Sequence, residues 1–204
     1  MAFGEGSERK RLEREMREAG RLPPGQSLTL KWPVLHVGGV PQFDPQSWDF
    51  RVKGLVENPL RLTWDEFTRL PLKEITADMH CVTRWSRFDV RWEGVPVAEV
   101  MKLARPKPEA KYAMVLAEED FTSNVPLGDL LRPTSLFALK HNGEPLPADH
   151  GYPLRLVVPH LYAWKSVKWV RGLDLRADDA PGFWEDNGYH MYGDPFKEQR
   201  FDTD

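Results

Sequence analysis

The segment from residue 74 to residue 81 alternates strictly between polar and apolar positions. Ile75, Ala77, Met79 and Cys81 occupy one set of alternate positions, and polar or charged residues occupy the other. Because side chains of a β-strand point alternately to the two faces of a sheet, this pattern predicts a half-buried strand. Cys81 then lies on the apolar face near the end of the strand, where the chain can open onto a pocket.

Further strands are predicted from short apolar or alternating runs. Trp48, Phe50 and Val52 alternate with charged residues, and Asn142-Gly143 is a pair typical of tight turns. The other predicted strands are residues 112–116, 135–140, 154–158, 167–170 and 173–175.

The predicted helices are short. Thr63 and Glu66 have the spacing of a capping box, and Pro71 requires the helix that they begin to end by Leu70. The remaining predicted helices are residues 7–19, with Ser7 as the cap, 97–104 and 126–131.

Residues 21–45 are rich in proline and glycine, which predicts a segment without regular structure that wraps over the body. We expect an N-terminal arm, residues 1–32, followed by one domain, residues 33–204. The predicted fold class is α+β, with strand-rich mixed sheets and short helices.

Composition excludes several classes of protein. With 29% charged residues and a net charge of −3, the chain of 204 residues has no overall positive field that would attract nucleic acid or anionic lipid. No apolar run approaches the roughly 18 residues of a membrane-spanning helix. The first 20 residues carry no apolar leader and no twin arginine, and there is one cysteine, so we expect a cytoplasmic protein.

Cys81 is the only thiol, so an internal disulfide and a zinc site of several thiolates are excluded. One interpretation is a small buried apolar side chain. The other is a thiolate that acts as a metal ligand or as a nucleophile, which requires positive charge or a metal to lower its pKa. Arg84 and Arg87 follow closely and could provide that charge.

Three cations further along the chain have two interpretations each. Arg155 lies in an apolar strand, where it either pairs with a carboxylate or grips an oxyanion such as phosphate. Lys165 and Lys168 are either solvated or directed at one anion. The sequence contains no cluster of histidines and carboxylates that would form a metal site, so any metal would bring most of its ligands with it.

Six segments, in order and spacing, resemble the molybdopterin-binding domain of the sulfite oxidase family, from about residue 33 to residue 174. In this respect the chain is similar to short bacterial sulfite oxidase-like oxidoreductases, which are related to the catalytic subunit of the periplasmic methionine-sulfoxide reductase. The matching segments are residues 48–59 with the capped helix, the run at 80–86, and residues 92–95, 142–147, 150–159 and 162–169.

The resemblance implies the sulfite oxidase molybdopterin-binding fold and a role for each matching residue. Cys81 corresponds to the cysteine whose thiolate is the sole protein ligand of molybdenum, the other ligands being a pyranopterin dithiolene and oxo or hydroxo groups. His150 and Arg155 correspond to the pair that binds the pterin and its phosphate, and His36 falls in an early pterin-contacting segment. The residues that correspond to those closing over the cofactor are Ser166, Val167 and Lys168.

Residues 82–86 depart from the asparagine and two arginines that sulfite oxidases usually have after the cysteine. Despite this departure, we expect Arg84, as a catalytic residue, to face the open side of the metal and to attract an oxyanion substrate. Other candidates for the substrate face are Trp85, Tyr189, His190 and Tyr192. The aromatic segment at 182–194 either folds over the opening or packs on the core.

The resemblance implies a molybdenum-cofactor oxidoreductase that transfers an oxygen atom, in a two-electron reaction, to or from a small sulfur or nitrogen oxide. No haem, flavin or iron–sulfur motif is present, and no counterpart of the larger members' immunoglobulin-like and haem domains, so we expect an external single-electron carrier as partner. Two alternatives are a molybdopterin-binding carrier without catalysis and a metal-free thiol enzyme with Cys81 as nucleophile.

Overall fold

Two mixed β-sheets form the frame of the computed structural model, which describes residues 2–204. The first sheet has the order β1-β5-β8-β10, with β4 also paired to β5 and β9 to β8, and the second has the order β3-β2-β11-β6-β7. Within these residues the strands are β1 (Ser27–Leu28), β2 (Asp49–Gly54), β3 (Leu60–Thr63), β4 (Lys73–His80), β5 (Trp85–Pro96), β6 (Tyr112–Ala117), β7 (Thr122–Pro126), β8 (Leu136–His141), β9 (Glu144–Pro145), β10 (Arg155–Val157) and β11 (Val170–Arg176).

Five short α-helices accompany the sheets in the described chain. They are α1 (Ala2–Glu18), α2 (Trp64–Thr68), α3 (Val97–Ala104), α4 (Leu127–Leu130) and α5 (Phe183–Asp186), and single 3₁₀ turns cover Glu118–Asp120, Ala148–His150 and Pro195–Lys197. None of the helices in residues 2–204 is both long and apolar enough to cross a bilayer. The α+β, strand-rich fold class is therefore confirmed.

An aromatic contact joins the two sheets to a helix at the centre of the core. Phe50 of β2 lies with its ring centroid 4.9 Å from that of Phe137 of β8 and 5.0 Å from that of Phe67 of α2. All three side chains are fully buried. Burial of such rings supplies much of the stability of a core, because each removes a large apolar area from water.

Three local signals in the sequence correspond to the elements that they predict. The Thr63 hydroxyl accepts a hydrogen bond from the Glu66 N–H, and the Glu66 carboxylate accepts one from the Thr63 N–H, which confirms the capping box. The helix predicted at 97–104 is confirmed to the residue. Asn142 and Gly143 both have positive φ, at 52° and 89°, in the tight turn between β8 and β9.

Several predicted boundaries are wrong. The first helix begins at Ala2, so Ser7 lies inside it and does not cap it. The segment 167–170 is not a strand before Val170, because Trp169 has φ 52° and turns the chain there. Residues 21–45 were expected to be irregular but contain β1, which pairs in parallel with β5.

The longest strand, β5, is missing from the predictions. Its polar and apolar residues do not alternate regularly, because its pairing with β4 and with β8 is interrupted by irregularities. One of these lies at Gly94, where an added Cβ would meet the Phe137 carbonyl oxygen at 2.0 Å. Close approach of a neighbouring backbone explains why glycine occupies this position in the middle of a strand.

A buried ion pair attaches the C-terminal segment to the second sheet. The Lys165 ammonium donates to Glu185 Oε1 at 2.5 Å, and neither side chain has any exposed surface. It also donates to the Asn124 carbonyl and side-chain oxygens, at 2.8 and 2.6 Å, and to the Met191 carbonyl at 2.8 Å. Lys165 is therefore neither a solvated lysine nor a free anion-binding group.

Replacing one partner of this ion pair is expected to destabilise the fold strongly. Lys165→Met leaves the Glu185 carboxylate buried without its cation, and we expect the free energy of unfolding to fall by about 3–5 kcal/mol. Denaturant unfolding of the variant measures this change. The matched control is Lys102→Met, which removes the exposed ion pair with Glu99 and is expected to change stability by less than about 1 kcal/mol. An equal effect of the two substitutions would contradict the prediction.

Candidate active site

A cavity of about 470 Å³ opens between the two ends of the chain and the loops that follow β4 and β10. Its wall includes Cys81, which directly follows β4, and Met79 from the same apolar face of that strand. The alternation that predicted this face therefore brings the thiol to the cavity. Residues from the segments at 32–38 and at 183–189 also contribute to the lining.

Cys81 begins a tight turn between β4 and β5. Its carbonyl accepts from the Arg84 N–H at 3.0 Å, and its N–H donates to the Trp85 carbonyl at 2.9 Å. The turn requires a left-handed backbone at Arg84, with φ 71°. The thiol is 8% exposed and lies 3.1 Å from the Thr83 hydroxyl.

The thiol is not activated by the protein alone. Burial raises the pKa of Cys81, and the hydrogen bonds from Thr83 and the charges of Arg200 and Lys168 offset only part of that rise. A thiolate at this position therefore needs a further positive charge, such as a bound metal ion. Arg84 and Arg87, which we expected to supply the charge, are not among the groups that shift this pKa.

Arg155 is part of the lining of the cavity, and its side chain is fully buried. The guanidinium donates to the His150 carbonyl at 3.0 Å and to the Ser166 carbonyl at 2.9 Å. It lies 5.6 Å from the ring centroid of Trp32 and 5.4 Å from that of Trp92. Among the described residues it has no carboxylate partner, and its Nε–H has no acceptor, so the salt-bridge interpretation is wrong.

Lys168 is the second cation of the lining, and it is half-buried. Its ammonium donates to the Asp149 carbonyl at 2.6 Å and lies 5.5 Å from the ring centroid of Trp169. Burial, reinforced by the charge of Arg155, lowers the pKa of Lys168 to about 8. Two cations held together without carboxylate partners are the arrangement that binds a phosphate or another oxyanion.

His150 stacks face to face on Trp32, with the ring centroids 3.6 Å apart and the planes 9° from parallel. Burial, together with the charge of Lys168, lowers the pKa of His150 to about 4. The imidazole is therefore neutral at pH 7 and can both donate and accept hydrogen bonds. His36 also lines the cavity, edge-on to Trp169 at a centroid distance of 5.2 Å.

The loop after β10 and its neighbours complete this side of the cavity. The Ser166 hydroxyl accepts from the Val158 N–H at 2.9 Å, while the Val167 carbonyl accepts from the Leu156 N–H at 2.8 Å. An added Cβ at Gly151, where φ is 113°, would lie 3.0 Å from the Arg155 Cβ and 3.2 Å from the Lys168 Cβ. The absence of a side chain at residue 151 lets these two cations approach each other.

Eight residues were proposed from the sequence as catalytic or cofactor-binding, and seven of them line one cavity in the structure. They are His36, Cys81, His150, Arg155, Ser166, Val167 and Lys168. Arg84 is not among the lining residues, because the left-handed turn leaves its side chain exposed. Their roles in binding a cofactor stay predictions.

The C-terminal segment both packs on the core and lines the cavity. Glu185 is buried beside Lys165, while Trp184 and Tyr189 line the cavity and stack with ring centroids 4.8 Å apart. Trp164 meets Tyr189 edge-on at 5.1 Å. Of the proposed substrate-face residues, Trp85 and Tyr189 line the cavity.

His190 and Tyr192, which were also proposed for the substrate face, are not among the lining residues. His190 Nδ1 accepts from the Tyr192 N–H at 2.9 Å, and the Tyr192 hydroxyl lies 3.3 Å from Asp129 Oδ1. Sequence reasoning missed Trp32 and Trp164, since isolated tryptophans most often indicate core positions.

The residues present fit a metal-bearing cofactor with a phosphate. Among residues 2–204, no three histidine, cysteine, aspartate or glutamate side chains are grouped to hold a metal ion. A metal bound at Cys81 would therefore take its other ligands from a cofactor, and sulfur ligands match the softness of a thiolate. Arg155 and Lys168 would hold the phosphate of such a cofactor, and the stacked Trp32 and His150 rings could contact its ring system.

Comparison with known proteins identifies what this arrangement resembles. The family model described as oxidoreductase molybdopterin binding domain matches residues 37–184. An uncharacterised oxidoreductase of Bacillus subtilis is 49% identical over 192 residues, which cover 94% of this chain and 97% of that protein.

Two further relatives carry names that specify a reaction. A putative protein-methionine-sulfoxide reductase subunit of Azospira oryzae is 30% identical, over 76% of this chain and 58% of its own length. The catalytic subunit of a protein-methionine-sulfoxide reductase of Gluconobacter oxydans is 31% identical, over 74% of this chain and 54% of its own. The chain thus spans somewhat more than half of these two relatives.

Among solved structures, the sulfane dehydrogenase SoxCD of Paracoccus pantotrophus has a similar fold. The TM-score is 0.63 at 27% sequence identity, and the match covers 69% of this chain and 41% of that one. The sulfite oxidase-like frame expected from the sequence is confirmed by this similarity together with the family match.

The pKa of His150 provides a test of the electrostatics of the cavity. In cofactor-free protein we expect its imidazole to titrate near pH 4, against about 6.5 in the denatured chain, because protonation adds a charge to a buried site beside two cations. Because the folded-state pKa is the lower one, the contribution of His150 to stability is lost as the pH falls from about 6.5 to 4. NMR titration measures the midpoint, with His150→Gln assigning the resonance. A folded-state midpoint above pH 6 would show that the site is more hydrated than the structure indicates.

Proposed function

The chain belongs to the oxidoreductase molybdopterin-binding domain family, and we propose that it is a molybdenum-cofactor-dependent enzyme that removes an oxygen atom from a neutral organic sulfoxide. The single observation that carries this proposal is the wall of the cavity. There the only thiol of the chain, Cys81, shares a lining with Arg155 and Lys168, two cations that have no carboxylate partner among the described residues.

Each lining residue has a proposed role toward the cofactor. Cys81 would ligate the metal through its thiolate, and Arg155 and Lys168 would hold the phosphate. His36 and His150 would contact the pterin, and the backbone at 166–168 would close over it. When bound, this cofactor supplies a two-electron redox change and the exchange of an oxygen atom.

The protein itself contributes position, exclusion of water and charge. Burial disfavours a free Cys81 thiolate, so the thiol loses its proton only when a cationic centre compensates for the charge. The indoles of Trp85, Trp164 and Trp184 line the cavity and lower the dielectric around the reacting atoms. Interactions with developing charge are stronger in such surroundings than in water.

The lining favours a neutral substrate over an oxyanion. Arg155 and Lys168 are the arginine and lysine that line the cavity in the described chain, and both are assigned to the cofactor. Arg84, the candidate for attracting an oxyanion, is not part of the lining, whereas Glu119 adds negative charge to it and Glu118, which also lines it, is paired with Arg171. An anion such as sulfite would therefore find no free cation, while a sulfoxide presents only a dipole.

The names of two relatives support the direction of the reaction, because both specify sulfoxide reductases. In this direction the sulfoxide takes up two electrons and two protons and gives a thioether and water. We assign the supply of electrons to an external single-electron carrier. A cytoplasmic location is part of the same proposal, and the presence of one buried, unpaired cysteine is compatible with a reducing compartment.

The burial of Cys81 argues against a metal-free thiol enzyme. A nucleophilic cysteine requires a lowered pKa and an adjacent base, whereas burial raises the pKa of this thiol. The neighbouring His80 does not line the cavity, and its Nδ1 lies 2.8 Å from the Ser86 hydroxyl. A non-catalytic carrier would bind molybdopterin but convert no substrate. The measurement of turnover with redox dyes, described below, separates it from an enzyme.

The metal content of two variants tests the cofactor assignment. In protein from a host that makes the cofactor, we expect close to one molybdenum per chain, and at least about tenfold less in Cys81→Ser and in Arg155→Met. Elemental mass spectrometry measures the metal, and an assay for pterin measures the organic part. Arg69→Met, at an exposed arginine, is the matched control and is expected to keep its molybdenum. Folded wild-type protein without molybdenum would contradict the proposal and favour the thiol enzyme.

Turnover with redox dyes tests the substrate class. We expect kcat/KM for reduction of an aryl methyl sulfoxide to exceed that for sulfite oxidation by at least about tenfold, since one unmatched charge in the cavity costs more than a kcal/mol. Trp184→Ala is expected to lower kcat/KM for the aryl sulfoxide by about tenfold, through lost apolar contact, and to affect dimethyl sulfoxide less. Faster oxidation of sulfite would contradict the substrate assignment, and no turnover of molybdenum-loaded protein would favour a carrier.

A further inference from the structure

Two side chains outside the matched family region reach the turn that carries Cys81. Gln26 comes from the N-terminal segment and Arg200 from the C-terminal one, whereas the family model covers residues 37–184. Both are nearly inaccessible, with 2% and 4% of their surface exposed. Polar side chains that are buried to this degree usually have a specific partner.

Their partners are two consecutive carbonyl groups of the turn. The Gln26 side-chain amide donates to the Cys81 carbonyl at 2.9 Å, and the Arg200 guanidinium donates to the Val82 carbonyl at 3.0 Å. Because the two carbonyls belong to the turn, Gln26 and Arg200 determine how firmly it is held.

The two ends of the chain are also joined to each other around this turn. Arg200 donates through its other terminal nitrogen to the Pro24 carbonyl at 3.3 Å, and the Ser27 N–H donates to the Arg84 carbonyl at 3.0 Å. The guanidinium lies 5.0 Å from the ring centroid of Tyr162. Residues 24–27 and Arg200 thus contact each other as well as the turn.

Arg200 is itself held in place by the C-terminal segment. Its N–H and that of Phe201 donate to the Asp204 carboxylate at 2.9 and 2.7 Å. Its carbonyl accepts from the His190 N–H at 3.2 Å, and Phe201 pairs with Tyr189, which lines the cavity. The residue that holds the turn is therefore connected to Tyr189 in the lining of the same cavity.

From these contacts we infer that Gln26 and Arg200 are positioning residues for the Cys81 thiolate, acting through the backbone of residues 81–84. The inference rests on the proposed role of Cys81 as the metal ligand. The direction in which the thiolate would meet the metal follows from the backbone of this four-residue turn. The turn is closed by two backbone hydrogen bonds of its own, and the bonds from Gln26 and Arg200 add to them. A bond from a guanidinium is stronger than one between neutral groups, so Arg200 is expected to have the larger effect.

The experiment compares four variants of the cofactor-loaded protein. Arg200→Met removes the donors and the charge, Arg200→Lys keeps the charge and one donor, and Gln26→Met removes the amide. Lys197→Met, at an exposed lysine of the same segment, is the matched control. The two measurements are hydrogen exchange of the peptide at 81–86 and the electron paramagnetic resonance signal of Mo(V) in partly reduced protein, which depends on the direction of the thiolate.

We expect Arg200→Met to accelerate exchange of the 81–86 peptide by about tenfold or more and to shift or broaden the Mo(V) signal. Gln26→Met is expected to act in the same direction with smaller amplitude, and Arg200→Lys to lie closer to the wild type than Arg200→Met. Lys197→Met is expected to match the wild type in both measurements. If Arg200→Met does not fold, the same two measurements on Arg200→Lys and Gln26→Met test the inference.

Two outcomes would overturn the inference. One is a Mo(V) signal that is the same in wild type, Arg200→Met and Gln26→Met, since a residue that only stabilises the fold leaves the metal geometry unchanged. The other is an equal change in Lys197→Met. A wild-type protein without a Mo(V) signal would instead contradict the proposed function, so the two failures are distinguishable.

Discussion

A single buried guanidinium, that of Arg155, joins two of the segments that line the cavity. Arg155 binds one carbonyl from the turn that precedes it and one from the loop that follows, and so fixes His150 and Ser166 relative to each other. The rings of Trp32 and Trp92 lie near the guanidinium, with centroids 5.6 and 5.4 Å away. Because burying a cation without a carboxylate is costly, this arrangement is expected where the charge serves an anionic ligand.

The second buried cation of this region, Lys165, differs from Arg155 in having a carboxylate partner. The Lys165 ammonium donates to the Glu185 carboxylate and to three further oxygen atoms. Its charge is therefore neutralised within the protein and is not available to a ligand. Three residues away, Lys168 turns toward the cavity and pairs with no carboxylate in the described chain. Lys165 and Lys168 look equivalent in the sequence but have different roles. Lys165 attaches the C-terminal segment, and Lys168 presents its charge to the cavity.

Local sequence signals predicted the elements whose structure is locally determined. The capping box at Thr63, the helix at 97–104 and the alternation that ends at Cys81 depend on neighbours within one element, and all are present. Strand β5 was not predicted, because its burial is decided by three partner strands and its pairing irregularities break the alternation. Arg84 could not be placed for a different reason: its residue type does not signal the left-handed backbone that it adopts, with φ 71°, and its side chain is exposed outside the lining of the cavity.

The family model covers most residues at the centre of the site but not those at its periphery. The matched region ends at residue 184, yet Tyr189 lines the cavity and Arg200 reaches the turn that carries the thiol. Before the matched region, Trp32 stacks on His150 and Gln26 binds the Cys81 carbonyl. The segments outside the family match thus contact the turn of Cys81 and contribute to the lining of the cavity.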